Sequence, residues 1–255
     1  MSLPDSSILT NIQVPGYTRP VEILFEKKYI TIRSLEDRLY TDEEVMKLPD
    51  IALGHTHYKE WQVRRRSVRR LLSYLLAKKR GLDILDVGCG NGWLSHLMAE
   101  IPGARVTGLD INFTELQQAA RVFNDDPNLR FIHGDMRSGV LSGKSFDQII
   151  FADSIQYFPS LKKILHWGLS MLRPGGEIHI IDTCMYKQGE LEGARRRTAA
   201  YFYSLGYPEM ADFYFHHNMA DLRSFDHTLL FMPHTLRSRL FGHNDPYPWI
   251  RICNS

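Results

Sequence analysis

The chain has 255 residues, a formal net charge of +2, and 44% hydrophobic against 24% charged residues. That length suits one α/β domain with additions and a large buried core, and the near-neutral balance gives no general argument for a nucleic-acid or membrane partner. No apolar run reaches the roughly 18 residues of a membrane span, and Met1-Ser2-Leu3-Pro4-Asp5 lacks the basic-then-apolar form of a secretory leader, so a cytoplasmic location is expected. The three cysteines, Cys89, Cys184 and Cys253, lie far apart without C-x-x-C spacing. They predict small buried hydrophobes rather than a disulfide framework or a thiolate metal site.

Residues 1–56 are the least patterned part, broken early by Pro4, Pro15 and Pro20. Thr41-Asp42-Glu43-Glu44 has capping-box spacing and predicts a short helix stopped at Pro49. Tyr17, Phe25, Tyr29 and Tyr40 give the segment an aromatic character suited to packing on the main domain or closing over a pocket. From His57 to Lys79, Trp61, Val68, Leu71, Leu72, Leu75 and Leu76 recur at helical spacing. Nine Lys or Arg residues lie between Lys59 and Arg80 against one acid, Glu60. They read either as a solvated face or, at Arg64 or Arg65, as a charge turned inward to a carboxylate or an acidic substrate. A nucleic-acid groove has little support, because the rest of the chain is not basic.

Ile84-Leu85-Asp86-Val87-Gly88-Cys89-Gly90-Asn91-Gly92 is an apolar strand entering a glycine turn, and Trp93 to Met98 restores helical spacing. Glycine there permits φ values that a Cβ forbids and lets the backbone approach a ligand closely. The dinucleotide fingerprint needs G-x-G-x-x-G, but Trp93 stands in the third place and Gly92 sits one residue early. Further strands follow at Arg105–Leu109, Leu129–His133, Phe146–Phe151 and Glu177–Thr183, separated by helices at Glu115–Phe123 and Leu161–Leu172, with Pro174-Gly175-Gly176 as a stop. This alternation implies a parallel sheet covered on both faces.

The first four strands each deliver an acid at the C-terminal end: Asp86, Asp110, Asp135 and Asp153. One such acid is commonly a helix cap, but four in register line the crevice where an open α/β sheet binds its ligand. By position, Asp110 suits the hydroxyls of a ribose, Asp135 an exocyclic amine, and Asp86 a cationic amine. Beyond the fifth strand, Glu190–Tyr203 reads as a helix and Thr228–Met232 and Trp249–Cys253 as strands. His216 and His217, with His227, His234 and His243 near, lack the spacing of metal ligands, and no metal is expected. Asp153, His216 and His57 are candidate general bases.

In chain order, ILDVGCGNGWLS, VTGLDIN, FIHGDM, FDQIIFADSIQYF and MLRPGGEIHIIDT resemble the class I S-adenosylmethionine-dependent methyltransferases over about residues 57 to 185. The resemblance implies a doubly wound, seven-stranded, mostly parallel Rossmann-like sheet with an antiparallel last strand. It implies an N-terminal helical cap segment over residues 1–56 and an S-adenosylmethionine-binding domain over 57–255. Asp86 and the backbone of Gly88, Cys89, Gly90, Asn91 and Gly92 would cradle the methionine moiety, and Asp110 would hold the ribose. Ile111 would pack on the adenine, and Asp135 with Met136 would read its amine. Ala152 and Asp153 would face the sulfonium, with Gln156 and Tyr157 behind, and Arg64 is counted with the cofactor-binding set. Ala152-Asp153-Ser154-Ile155 departs from the N/D-P-P-Y/F motif of some nitrogen-methylating members, so the acceptor class does not carry over. The implied function is methyl transfer to a small molecule, and the alternative is a non-catalytic S-adenosylmethionine- or nucleotide-binding module.

Overall fold

The computed structural model describes residues 12–13, 20–233 and 245–253. Three segments precede the main βα alternation, the short strand β1 (Ile12–Gln13) and the helices α1 (Pro20–Leu35) and α2 (Asp42–Lys47). The long helix α3 (Tyr58–Leu76) leads into β2 (Asp83–Val87), α4 (Trp93–Ala99), β3 (Arg105–Asp110), α5 (Phe113–Val122) and β4 (Leu129–His133). Next come β5 (Phe146–Ala152), α6 (Leu161–Ser170) and β6 (Leu172–Ile181). The strands β7 (Met185–Tyr186) and β8 (His217–Asn218) pair in parallel on either side of α7 (Leu191–Ser204), and β9 (His227–Phe231) and β10 (Trp249–Cys253) close the chain.

The main sheet has eight strands in the order β1-β4-β3-β2-β5-β6-β10-β9. Strands β1 to β6 pair with one another in parallel, and β10 lies antiparallel between β6 and β9. The expected seven strands are all present, and the eighth is β1, whose two residues extend the sheet beyond β4. The near-continuous apolar run of β2 and β5 follows from burial on both faces. Ile84 and Ile150 pack with Val68, Leu71, Leu94 and Leu116 of α3, α4 and α5, while Leu85 and Ile149 pack with Leu161 and Leu165 of α6.

Caps fix the helix starts. Thr41 and Glu44 form the expected capping box of α2, Asn112 caps α5 through the Glu115 amide, and Ser160 caps α6 through the Lys163 amide. Two expectations change. The helix α6 ends at Ser170 and β6 begins at Leu172, so Pro174-Gly175-Gly176 lies inside a strand whose pairing with β5 shifts register between Phe146 and Gln148. The bulge opposite Asp147, between the Phe146–Leu172 and Gln148–Glu177 pairs, accommodates the missing Pro amide and the paired glycines. Cys184 is exposed rather than a buried hydrophobe, since it sits in the loop beyond β6.

The basic helix α3 is a hub of ion pairs rather than a free positive face. Arg65 reaches Asp50 at 2.8 Å, Arg66 and Arg70 both reach the buried Asp245 at 2.6 and 2.5 Å, and Lys78, just past its end, reaches Glu177 at 2.7 Å. Of the two readings open for its arginines, the inward one holds for Arg64, which pairs with Asp153. The long helix α1, unmarked in the sequence, packs Phe25 and Ile32 against Phe202 and Met210, so the N-terminal segment and the region after β6 share a small apolar core.

Candidate active site

The strand order reverses between β2 and β5, and an open parallel sheet binds its ligands at such a switch point. The turn after β2 is shaped for close approach: Gly88, Gly90 and Gly92 have φ of 75°, 53° and 75°. A Cβ at Gly88 would lie 2.5 Å from that of Ser154, and one at Gly92 would lie 2.7 Å from the Phe131 ring. Ser154 in turn donates to the Val87 carbonyl at 2.5 Å, which stitches the ends of β2 and β5 together across the crevice.

The strand-end acids divide by environment. Asp110 accepts from the amides of Gly90 (2.7 Å) and Asn112 (2.8 Å), so it holds the turn in place while lining the crevice. Asp135 also lines the crevice, and its carboxylate accepts from the Arg137 guanidinium and amide. Asp86 is 1% exposed, accepts from Ser95 Oγ at 2.7 Å, and lines none of the cavities described here. Burial pushes its pKa up to about 7 against the lowering effect of the Ser95 hydroxyl. Glu115, at the start of α5, is pushed up to about 7 by burial and lies against Gly90.

The fourth acid, Asp153, is the node of the site. It follows β5 with φ of 51°, a left-handed conformation rare for a residue with a side chain and common where structure serves function. Arg64 and the Gln156 amide hold its carboxylate, and the Gln156 amide also donates to its main-chain carbonyl at 2.8 Å. Glu60 completes the cluster, accepting from Arg64 and from the fork of Arg38, which hold its carboxyl down to about 2 despite burial. Three contiguous cavities meet here, and Asp153 and Tyr29 line all three. The crevice of about 130 Å³ runs along Gly88, Asp110, Ile111, Asp135 and Met136. A recess of about 80 Å³ reaches Cys89, Gly90, Asn91 and Ala152, and a chamber of about 420 Å³ opens above Asp153. Helix α1 roofs the group: Phe25 stacks on Tyr29 at 5.7 Å, and both meet Tyr157 edge-on near 6 Å.

Residues 84–176 match the family model described as a methyltransferase domain. Over that stretch the chain is similar to methyltransferases. Curated relatives overlap the same region. The sterol 24-C-methyltransferase of Gibberella zeae is 29% identical over 129 residues, covering 49% of this chain and 34% of the relative. The demethylmenaquinone methyltransferase of Listeria monocytogenes is 30% identical over 132 residues, covering 50% of this chain and 54% of the relative. The chain thus spans between about a third and about half of the length of the curated relatives it matches. Among solved structures, magnesium protoporphyrin IX methyltransferase from Synechocystis with bound SAH aligns over 90% of this chain and all of that chain, at 17% identity and a TM-score of 0.57. That likeness extends the shared fold beyond the region matched by the family.

Around the three cavities, the sequence-predicted residues separate into groups. Gly88, Cys89, Gly90, Asn91, Asp110, Ile111, Asp135, Met136, Ala152, Asp153, Tyr157 and Arg64 line the joined cavities, while Gly92 and Asp86 support the turn from behind. Gln156 lines only the chamber. His216 is not on the chamber wall: its Nε2 meets Thr198 Oγ1 at 2.9 Å, Thr198 lines the chamber, and the ring is packed by Tyr186 and Tyr214. Burial lowers its pKa, with Arg195 and His217 adding to that. His57 is turned to the Glu36 carbonyl at 2.6 Å, and His217 to the Ile155 carbonyl at 2.9 Å. Tyr17, His234 and His243 lie outside the described residues. Sequence reasoning missed Ile32, Arg33, Arg38 and Glu115. The available signal was Phe25, Tyr29, Ile32 and Arg33, which recur at helical spacing as one face of α1.

Proposed function

We propose that the protein is an S-adenosylmethionine-dependent methyltransferase acting on a small-molecule acceptor. The observation that carries this reading is the meeting of the crevice along Gly88, Asp110 and Asp135 with the roofed chamber at Asp153 and Tyr29. The cofactor fits the donor set: a glycine turn that a Cβ would fill, an acid for ribose hydroxyls at Asp110, and a second acid at Asp135. Gly88, Cys89, Gly90 and Asn91 would cradle the methionine moiety, with Asp86 steadying the turn through Ser95. Ile111 and Met136 would flank the adenine. When bound, S-adenosylmethionine supplies a methyl group already attached to a good leaving group.

What remains for the chain is alignment and exclusion of water. Positioning of reactants contributes up to about 7 to 11 kcal/mol in favourable cases. Arg64 and Gln156 fix Asp153 at the junction, so its free acceptor capacity can orient a hydroxyl, amine or acidic carbon entering from the chamber. Tyr29, Tyr157 and Tyr214 have hydroxyl pKa values raised by burial, so near neutral pH they donate hydrogen bonds rather than act as bases. His216 acts at one remove, through Thr198. Small-molecule acceptors agree with the names of the relatives, which refer to sterols, a menaquinone and a porphyrin. We propose residues 1–56 as the cap segment that completes the acceptor site and residues 57–255 as the catalytic unit.

The reading is tested by incubating the protein with S-adenosylmethionine carrying a deuterated methyl group and a metabolite mixture extracted with solvent. Label should enter one or a few small molecules and should fail to do so with an Asp110→Ala variant. Absence of labelled product with the wild-type protein across chemically diverse mixtures would favour a binding module over an enzyme.

A further inference from the structure

The chamber is lined by four arginines and three acids: Arg33, Arg38, Arg64 and Arg197 face Glu36, Glu60 and Asp153. The acids are all accounted for. Arg38 pairs with Glu36 and Glu60, and Arg64 pairs with Glu60 and Asp153. Among the described residues, Arg33 and Arg197 have no carboxylate within 4 Å. Arg197 sits on an exposed turn of α7, but Arg33 is half-buried beneath the roof, and its Nε is buried with no hydrogen-bond acceptor. Its guanidinium carbon lies over the Tyr29 ring, 5.6 Å from the centroid.

A buried charged donor without an acceptor carries a desolvation cost that an incoming anion relieves. Guanidinium suits a carboxylate or phosphate because its fork donates two parallel hydrogen bonds. The walls beside Arg33 are aromatic, with Tyr29, Tyr157, Phe202 and Tyr214 around it. We propose that the methyl acceptor is an acid with an aromatic or other flat apolar body. Arg33 receives its carboxylate or phosphate, and Arg197 supplies a second positive charge at the chamber mouth. This rests on the methyltransferase reading of the same site. The cofactor's own carboxylate is the rival anion for Arg33, because Arg33 also lines the recess beside Gly90 and Asn91. The acceptor is favoured because the second unpaired arginine, Arg197, lines the chamber and not that recess.

The experiment titrates the protein, saturated with S-adenosylhomocysteine, with 2-naphthoate, 2-naphthyl phosphate and neutral 2-naphthamide, read by ligand-observed NMR. At least one of the two anions should bind about tenfold or more tightly than the amide. That preference should vanish in Arg33→Gln, shrink in Arg197→Gln and persist in Arg33→Lys, with S-adenosylhomocysteine affinity changed less than about threefold throughout. Equal binding of acid and amide, or binding of neither, would overturn the proposal. Loss of S-adenosylhomocysteine affinity in Arg33→Gln with the acid preference intact would assign the arginine to the cofactor instead. Failure of the methyltransferase reading is visible separately, as wild-type protein that does not bind S-adenosylhomocysteine; the probes are then compared without it. A melting curve for each variant shows whether a lost preference reflects unfolding, and Arg33→Lys keeps the charge if Arg33→Gln does not fold.

Discussion

Arg64, in the middle of α3, donates to the carboxylate of Asp153, 89 positions later at the end of β5, while keeping Glu60 of its own helix at 3.0 Å. One guanidinium thus ties the long basic helix to the point where the crevice meets the chamber. Removing it leaves Asp153 with only the neutral Gln156 amide, while Glu60 keeps the Arg38 fork. Arg64→Met should cost about 2 to 3 kcal/mol, below the figure for a fully buried pair because Asp153 keeps 35% of its side chain in solvent. Urea denaturation reads this, and the double variant with Asp153→Asn should be more stable than the sum of the single changes allows.

The glycine turn makes a sharper prediction. Gly88→Ala puts a Cβ 2.5 Å from Ser154 at a φ of 75°, where neither backbone nor neighbour can yield cheaply. It should lower stability by about 2 kcal/mol or more and weaken S-adenosylmethionine at least tenfold. Gly143→Ala is the control: its φ is 74° but nothing lies within 4 Å, so it should cost about 1 kcal/mol and leave binding unchanged.

Asp86 predicts a pH dependence. Its folded pKa of about 7 lies above the ordinary value of 3.8, so its contribution to stability is fully present below about pH 4 and is lost as pH rises through 7. Replacing it with the isosteric Asn removes that loss. Between pH 5 and 8, wild type should lose stability relative to Asp86→Asn, by up to a few kcal/mol at the upper end. Parallel denaturation curves across that range check the sign, and a wild type that gains stability on the variant as pH rises would contradict it.

The roof can be loosened by itself. Phe25 is 8% exposed and packs on Tyr29, Tyr157 and Phe213, so Phe25→Ala removes the ring that fastens α1 over the crevice. Large-to-small changes of this kind cost about 3 kcal/mol or more. Here much of the loss should fall on α1: limited proteolysis should cut within residues 20–35 faster, and S-adenosylmethionine affinity should fall about tenfold.

The sheet was legible because its signals are local. Apolar runs bounded by Gly and Asp mark β2 to β5, and Thr41 with Glu44 announces a helix start that the structure keeps. The edge strand β1 was not legible, because two residues carry no period. Helix α1 was obscured by the prolines before it, although Phe25, Tyr29, Ile32 and Arg33 share a face. Of the four strand-end acids read as lining the crevice, Asp110, Asp135 and Asp153 do so, while Asp86 is buried behind the glycine turn against Ser95. The inward turn of Arg64 was one of two open readings, since spacing alone does not say which charge on a helix meets a partner 89 residues away. His216 drew attention as a titratable group in an aromatic stretch, yet Thr198 stands between it and the chamber, a relationship set by the packing of α7 rather than by adjacency in sequence.

S-adenosylmethionine is the ligand we assign to this crevice. Calorimetric titration of the protein with S-adenosylmethionine and, separately, with NAD tests that assignment most directly. One-to-one binding of S-adenosylmethionine is expected at micromolar concentration, weakened at least tenfold by Asp110→Ala, with no comparable heat from NAD. No binding of S-adenosylmethionine at high micromolar concentration, or tighter binding of NAD, would contradict it.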